Sequence, residues 1–349
     1  MKNIPNTTHF CTHPFSGAQI HEGGLVMPCC NWDSNDRKGW PTLDDGLEKA
    51  VHHPRFQKVR NDMLNQIDTP GCRRCFENEN AKGESSRTWS LERDKEWIKD
   101  SYSKNLFNKD FYQLRYLDAT FSILCNLSCR MCSSNISTTF RKIVNGDSLP
   151  TSLDIDKFDL DISKLTYVKF VGGEPLMEPK HNLFIEKIVN EGVALENLNL
   201  IYHTNATKLP TQKILEVWKK CKSVQINLSI DAYGDINWKQ RPGPYNWNDI
   251  ENVCNKYKEW TRQYKNINVR ISSVITKINV FYLQQLEEWI NQFWSEEIKN
   301  DKNFFNAYCI EWPKQLSICD WHNNDLRKEE VKEYIVKLKN NKIKGTMKG

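Results

Sequence analysis

Cys125-Asn-Leu-Ser-Cys129-Arg-Met-Cys132 decides the reading of this 349-residue chain. Its three thiols stand at C-x3-C-x2-C spacing, directly after an apolar run that ends at Ile123. Thiolates gathered this closely suit soft metal ions and iron–sulfur clusters. An iron–sulfur protein that only carries electrons closes its cluster with four cysteines. Three cysteines leave one iron of a cubane open, and an open iron can bind a ligand and do chemistry on it. Structural zinc is the competing use of clustered cysteines.

Outward from this stretch, apolar runs alternate with amphipathic helical segments from Tyr112 onward, the pattern of βα units on a parallel sheet. Strands are expected at Leu114 to Ile123, Tyr167 to Val171, Leu198 to His203, Val224 to Ile230, Val269 to Ile275 and Phe305 to Glu311. Barrels of parallel strands carry functional residues at the strands' C-terminal ends. Gly172-Gly173-Glu174 follows the second strand, where glycines allow close backbone approach and a carboxylate can accept from an ammonium. Thr204-Asn205 ends the third strand, facing a ligand or capping the next helix. Ser229 and Asp231, two apart at the fourth strand's end, are expected to share its inward face. Arg241-Pro-Gly follows, either as an anion ligand or as a surface turn.

These motifs resemble the signature of the radical S-adenosylmethionine (radical SAM) superfamily, including the large apolar Met131 before the last cysteine. The resemblance implies an α/β fold, a partial (β/α)6 TIM-like barrel. It implies a [4Fe–4S] cluster on Cys125, Cys129 and Cys132 whose open iron holds S-adenosylmethionine (SAM). Reductive cleavage of SAM would give a 5′-deoxyadenosyl radical for hydrogen abstraction, with a reductant such as flavodoxin or ferredoxin. Gly172, Gly173 and Glu174 coincide with the family's Gly-Gly-Glu motif for the methionine amino group. Thr204 and Asn205 resemble its Thr-Asn-Gly, facing the ribose or methionine. Ser229 and Asp231 resemble the Ser-x-Asp-Gly of SPASM-type members, and Arg241 an arginine that pairs with the SAM carboxylate.

A second thiol set precedes the barrel: Cys11, Cys29 and the C-x2-C pair Cys72 and Cys75, with Cys30 as an extra thiol able to replace Cys29. Gln19-Ile-His-Glu-Gly-Gly-Leu-Val-Met reads as a hairpin turning at its glycines. Four soft ligands suit an iron–sulfur cluster or zinc. The spacing C-x12-G-x4-C, then a helix, then C-x2-C resembles the twitch module, a shortened SPASM domain, and implies an auxiliary [4Fe–4S] cluster. It departs from those relatives in standing before the barrel. The expected organisation is a twitch-like module over 1–80, a charged, solvated linker helix over 81–111, the barrel over 112–312 and a basic helical tail over 313–349.

Twelve cysteines without a secretory signal point to metal ligation in a reducing cytoplasm. A net charge of +5 does not indicate nucleic acid, and no apolar run approaches a membrane span. Cys221 and Cys254 read as small core residues, while Cys309 and Cys319 fall at or just past the last strand with no motif to assign them. The motifs nearest to these belong to peptide and protein maturases, so a peptide or protein substrate is the leading expectation. A carbohydrate or nucleotide is the second. A non-catalytic zinc or iron–sulfur scaffold binding RNA or a partner is the rival from another class.

Overall fold

The structure, a computed structural model, describes residues 8–147, 152–301, 303–318 and 332. The chain divides into two compact units, and each is an α/β assembly.

The first unit comprises Met1–Phe121, Thr151–Phe170 and Pro179–Leu198. It holds β1 (Gly17–Ile20), β2 (Val26–Met27), β3 (Tyr116–Thr120) and all but the last residue of β4 (Tyr167–Val171), in the order β2-β1-β3-β4. The hairpin expected from the sequence is β1 and β2, antiparallel with Gln19 opposite Met27. Gly23 and Gly24 turn it with φ of +79° and +80°, which a side chain would resist. The hairpin is not self-contained. β1 also runs parallel to β3, Gln19 beside Asp118, so the sheet is mixed. Phe121, Phe158, Phe170 and Phe184 pack into one aromatic core here. The helix Pro54–Leu64 buries Arg60 completely, and its guanidinium donates to the carbonyls of Pro14, Val51 and Lys109. One charged side chain thereby satisfies carbonyl acceptors on three segments.

The segment 81–111, expected as a charged, solvated linker helix, forms two helices that turn one face inward and leave the other exposed. Helices Ser86–Arg93 and Lys95–Ser103 pack inward, burying Ser90, Ile98 and Ser101. Arg93 and Asp94 form an ion pair only 2% and 1% exposed, and the Arg93 guanidinium lies over the rings of Trp89, Tyr116 and Tyr167. A run of charges suggested solvent, but pairing and ring stacking let these charges be buried.

The second unit comprises Ser122–Pro150, Val171–Glu178 and Asn199–Gly349. Its strands β5 (Asn199–Thr204), β6 (Ser223–Ser229), β7 (Ile267–Ile275) and β8 (Phe305–Cys309) are all parallel and adjacent in that order. Helices Gln212–Trp218, Trp247–Gln263 and Leu283–Phe293 lie between them in sequence. Ile275, Val280, Leu283, Ala307 and Ile318 form a core cluster, with Cys309 packed against it. Cys221 and Cys254 are buried as expected. Cys319 and the expected basic helix of the tail lie outside the described residues.

Parallel strands are usually apolar on both faces. β6 is not: Val224, Ile226 and Leu228 are buried, while Gln225, Asn227 and Ser229 form an alternate polar face. The register continues that face sideways, His203 beside Asn227 beside Arg270, and Ser229 beside Ser272 beside Asn306.

Candidate active site

The cysteine loop is anchored within the second unit by backbone hydrogen bonds at both ends. Gly173 N donates to Ser122 O at 3.1 Å and Glu174 N to Leu124 O at 2.7 Å. Ser128 N and Arg130 N donate to Pro242 O and Gln240 O, both at 2.8 Å. Ser137 caps the helix Thr138–Asn145 by accepting from Phe140 N, and its hydroxyl donates back to Leu127 O at 2.7 Å. The loop between Cys125 and Cys132 therefore has little freedom of its own.

Burial, before anything else, raises the thiols: Cys125 to about 11 and Cys132 to about 12, with Cys129 also above its ordinary value. Each of Cys125 and Cys132 also feels Cys129 nearby, so the three are gathered. Three N–H groups point at the sulfurs. Leu127 N reaches Cys125 Sγ at 3.4 Å, Asn205 Nδ2 reaches the same sulfur at 3.8 Å, and Arg241 Nη1 reaches Cys129 Sγ at 3.7 Å. Such donors are what thiolate ligands of an iron–sulfur centre require around them. Among the described residues no group of three His, Cys, Asp or Glu side chains converges on a single-ion site. The N–H donors on the sulfurs suit thiolate ligands. Met131, between the second and third cysteines, is half-buried.

Glu174 is 1% exposed at the turn after β4, where Gly172 adopts a φ of +118°. Its Oε1 accepts from the Thr204 hydroxyl at 2.8 Å and its Oε2 from Asn205 N at 2.7 Å. Burial lifts its carboxyl to about 7, against the opposing hydrogen bonds from Asn205 and Thr204. Thr204 and Asn205 are thus committed to Glu174 and to the cysteine loop, where Asn205 Nδ2 also donates to Asn126 Oδ1 at 2.8 Å. The capping alternative belongs to Thr211, which caps the next helix.

Asp231 is wholly buried, and protein groups take both its oxygens. Arg241 Nε and Nη2 bind it at 2.6 and 3.0 Å, Gln240 Nε2 at 2.8 Å and Val274 N at 2.8 Å. β6 ends at Ser229, so Asp231 lies just beyond the strand's two-residue period. Asp231 orients Arg241 beside Cys129, and Ser229 lines a cavity instead. Arg241 is 11% exposed, which removes the surface-turn alternative. The cavity, of about 550 Å³, lies over the polar face of β5–β8 and extends to Arg241.

Residues 120–290, which hold every residue of this cluster, match the model of the radical SAM superfamily. This stretch of the chain is a radical SAM domain. Among solved structures the chain is similar to polyhistidine-tagged anSMEcpe with bound AdoMet, at 15% identity over 65% of this chain and 59% of that chain, TM-score 0.44. It is similar to Streptococcus suis SuiB bound to S-adenosylmethionine at 15% identity over 76% and 53%, TM-score 0.40. It is also similar to native anSMEcpe with bound AdoMet and Cp18Cys peptide, at 18% identity over 55% and 50%, TM-score 0.36. The chain spans about half the length of the solved structures it matches. No curated protein sequence matches it. Among the described residues, no helix is long and apolar enough to cross a membrane.

In the first unit the other thiols lie near enough to influence one another. Cys29 is raised well above its ordinary value by burial and then by Cys30, Cys11, Cys72 and Cys75 around it. Cys72 likewise responds to burial and then to Cys11 and Cys75, and burial lifts Cys11 to about 11. Arg87, salt-bridged to Glu79, stands beside Cys11 and Cys75 as a compensating cation. Cys30 faces a different environment. Apart from burial, its neighbours are Lys169 and Asp118, which are paired at 3.0 Å. The sequence left Cys29 and Cys30 interchangeable, whereas the fold turns them to different surroundings.

Sequence reasoning missed the polar groups carried on strands: Asp118 and Lys169 on β3 and β4, and Gln225, Asn227 and Arg270 on β6 and β7. A signal existed for the latter. Ser223-Val-Gln-Ile-Asn-Leu-Ser229 alternates with period two, which a strand buried on both faces does not do.

Proposed function

We propose that this radical SAM enzyme binds a [4Fe–4S] cluster through Cys125, Cys129 and Cys132 and uses SAM to abstract hydrogen from a peptide or protein substrate. The observation that carries the reading is one connected set: three thiols with N–H donors on their sulfurs, joined through Asn205 to a buried carboxylate, Glu174. When bound, the cluster and SAM supply a reductively generated 5′-deoxyadenosyl radical. The chain's part is to bind, orient and exclude water. Glu174, ionised, would accept from the methionine ammonium in place of Thr204 and Asn205. Arg241, fixed by Asp231, would set the charge beside Cys129. The cavity over β5–β8 would hold the substrate, with Ser229 at its upper row.

The same reading assigns Cys11, Cys29, Cys72 and Cys75 to an auxiliary [4Fe–4S] cluster in a twitch-like module over 1–80. The partial barrel then occupies 112–312, and a flavodoxin- or ferredoxin-type reductant serves it. Support for the second cluster is the mutual nearness of the four thiols and the cation at Arg87.

Anaerobic reconstitution tests both assignments. The expected result is a broad absorbance near ~400 nm, roughly eight irons per chain and release of 5′-deoxyadenosine from SAM under reductant. A colourless, zinc-replete protein that leaves SAM intact would overturn it.

A further inference from the structure

The cavity over β5–β8 has a chemistry of its own. Its walls join neutral amides, hydroxyls, a histidine and two arginines to the apolar Ile201 and Val274, and no described residue that lines it carries a carboxylate. The two arginines differ. Arg241 gives two nitrogens to Asp231 and a third to Cys129. Arg270 is tied to Asp301 through Nε, at 2.6 Å. A guanidinium has five N–H donors in a fixed fork that matches a carboxylate. Arg270 therefore has donors to offer, and it stands in one row with Asn227 and His203. One strand position earlier in the polar face, Gln225 Nε2 is buried without a hydrogen-bond partner. A buried donor left unmade is costly unless a ligand completes it.

We propose that this face selects a peptide segment bearing an acidic side chain, whose carboxylate binds Arg270 while a neighbouring peptide carbonyl accepts from Gln225. Amide-rich walls suit a peptide, since each Asn or Gln offers a donor and an acceptor together. A nucleotide is disfavoured, because among the described residues the lining offers a single phenyl-type ring, Tyr308, where bases are held by stacked aromatics. Volume agrees with a short segment, since sites for ligands of a few hundred daltons span roughly 300–1,000 Å³. Position adds a spacing rule. Arg270 precedes Val274, at the Asp231 end of the strand, by four residues, which is ~13 Å of strand. An extended peptide anchored at Arg270 would present at that end a residue about four positions from its acidic one.

The inference rests on the radical SAM reading only for what happens to the bound residue; binding itself is separate. The probe is an acetylated, amidated hexapeptide of Gly and Ala carrying one Glu, compared with the same peptide carrying Gln or Lys and with AMP. Titration calorimetry and saturation-transfer NMR on the reconstituted enzyme give the affinities. The Glu peptide is expected to bind about tenfold or more tightly than the other two, the worth of a charge-assisted hydrogen bond. Arg270→Gln is expected to erase the preference, and Gln225→Leu to weaken the Glu and Gln peptides alike. Arg270→Lys, which keeps the charge and the tie to Asp301, should retain a reduced preference and guards against a folding defect in the first variant. Equal binding of the three peptides, a preference that survives Arg270→Gln, or tighter binding of AMP would each overturn the proposal. Cleavage of SAM by the wild type is measured alongside; its absence would remove the radical chemistry and leave the binding result standing.

Discussion

Gly173→Ala probes the joint between the cysteine loop and Glu174. A Cβ at this position would lie 2.1 Å from the Leu124 carbonyl oxygen, 2.6 Å from the Leu124 carbonyl carbon and 2.7 Å from that of Ile123. All three are backbone atoms, so no side chain can swing aside. To restore 3.0 Å, below which real Cβ contacts essentially never fall, the chain just before Cys125 must retreat by about 0.9 Å. Overpacking of this kind costs ~1–3 kcal/mol. The retreat also stretches the 2.7 Å bond from Glu174 N to Leu124 O, at ~0.5–1.5 kcal/mol. The expected total is on the order of 2–4 kcal/mol, read by chemical denaturation of the apoprotein. Reconstituted protein should lose the iron of one site, roughly four of roughly eight, together with SAM cleavage. Gly192→Ala is the control: its φ of +70° makes any side chain strained, but a Cβ there meets nothing within 4 Å. It should cost about 1–2 kcal/mol and keep all the iron. A Gly173→Ala protein with wild-type stability, full iron and SAM cleavage would refute the close-approach argument.

Three further outcomes follow from the geometry. Cys29→Ala should remove about half the iron whereas Cys30→Ala should leave it in place, because Cys30 turns toward Asp118 and Lys169; iron assay with the 400 nm absorbance distinguishes them. Asp231→Asn should destabilise the fold by ~3–5 kcal/mol by leaving Arg241 buried without its counter-charge, and weaken SAM binding by calorimetry. Glu174, lifted from its ordinary 4.5 to about 7, keeps its proton in the folded chain where the unfolded chain has lost it. Its contribution to apoprotein stability therefore falls as pH rises from about 4.5 to about 7, and Glu174→Gln should flatten that slope in denaturation curves. SAM affinity should run the other way, rising with pH through about 7 as the carboxylate that meets the ammonium forms.

The strands were legible because buried parallel strands announce themselves as apolar runs. The residues from Tyr167 to Val171 fall where expected, and β5 to β8 agree to within two residues at nearly every end. The short strand β1 was foreseen as half of a hairpin, but its parallel pairing with β3 brings together residues almost a hundred positions apart, which no local pattern encodes. The three barrel cysteines and Glu174 were legible because their spacing is chemical. What Asp231 does was not, since its sequence neighbour Ser229 suggested a shared face while its real partners, Gln240, Arg241 and Val274, come from other segments. The buried pair of Arg93 and Asp94 was not legible for a related reason: charge in a sequence does not say whether its counter-charge is water or a neighbour.

If Glu174 receives the methionine ammonium as proposed, its present hydrogen bonds bear on how quickly that ligand is seated. With its oxygens already engaged by a hydroxyl and a main-chain amide, an arriving amine swaps one partner for another instead of stripping a hydration shell. On that reading the hollow would keep its shape through stand-ins drawn from the chain itself, and little rearrangement should separate encounter from a seated ligand.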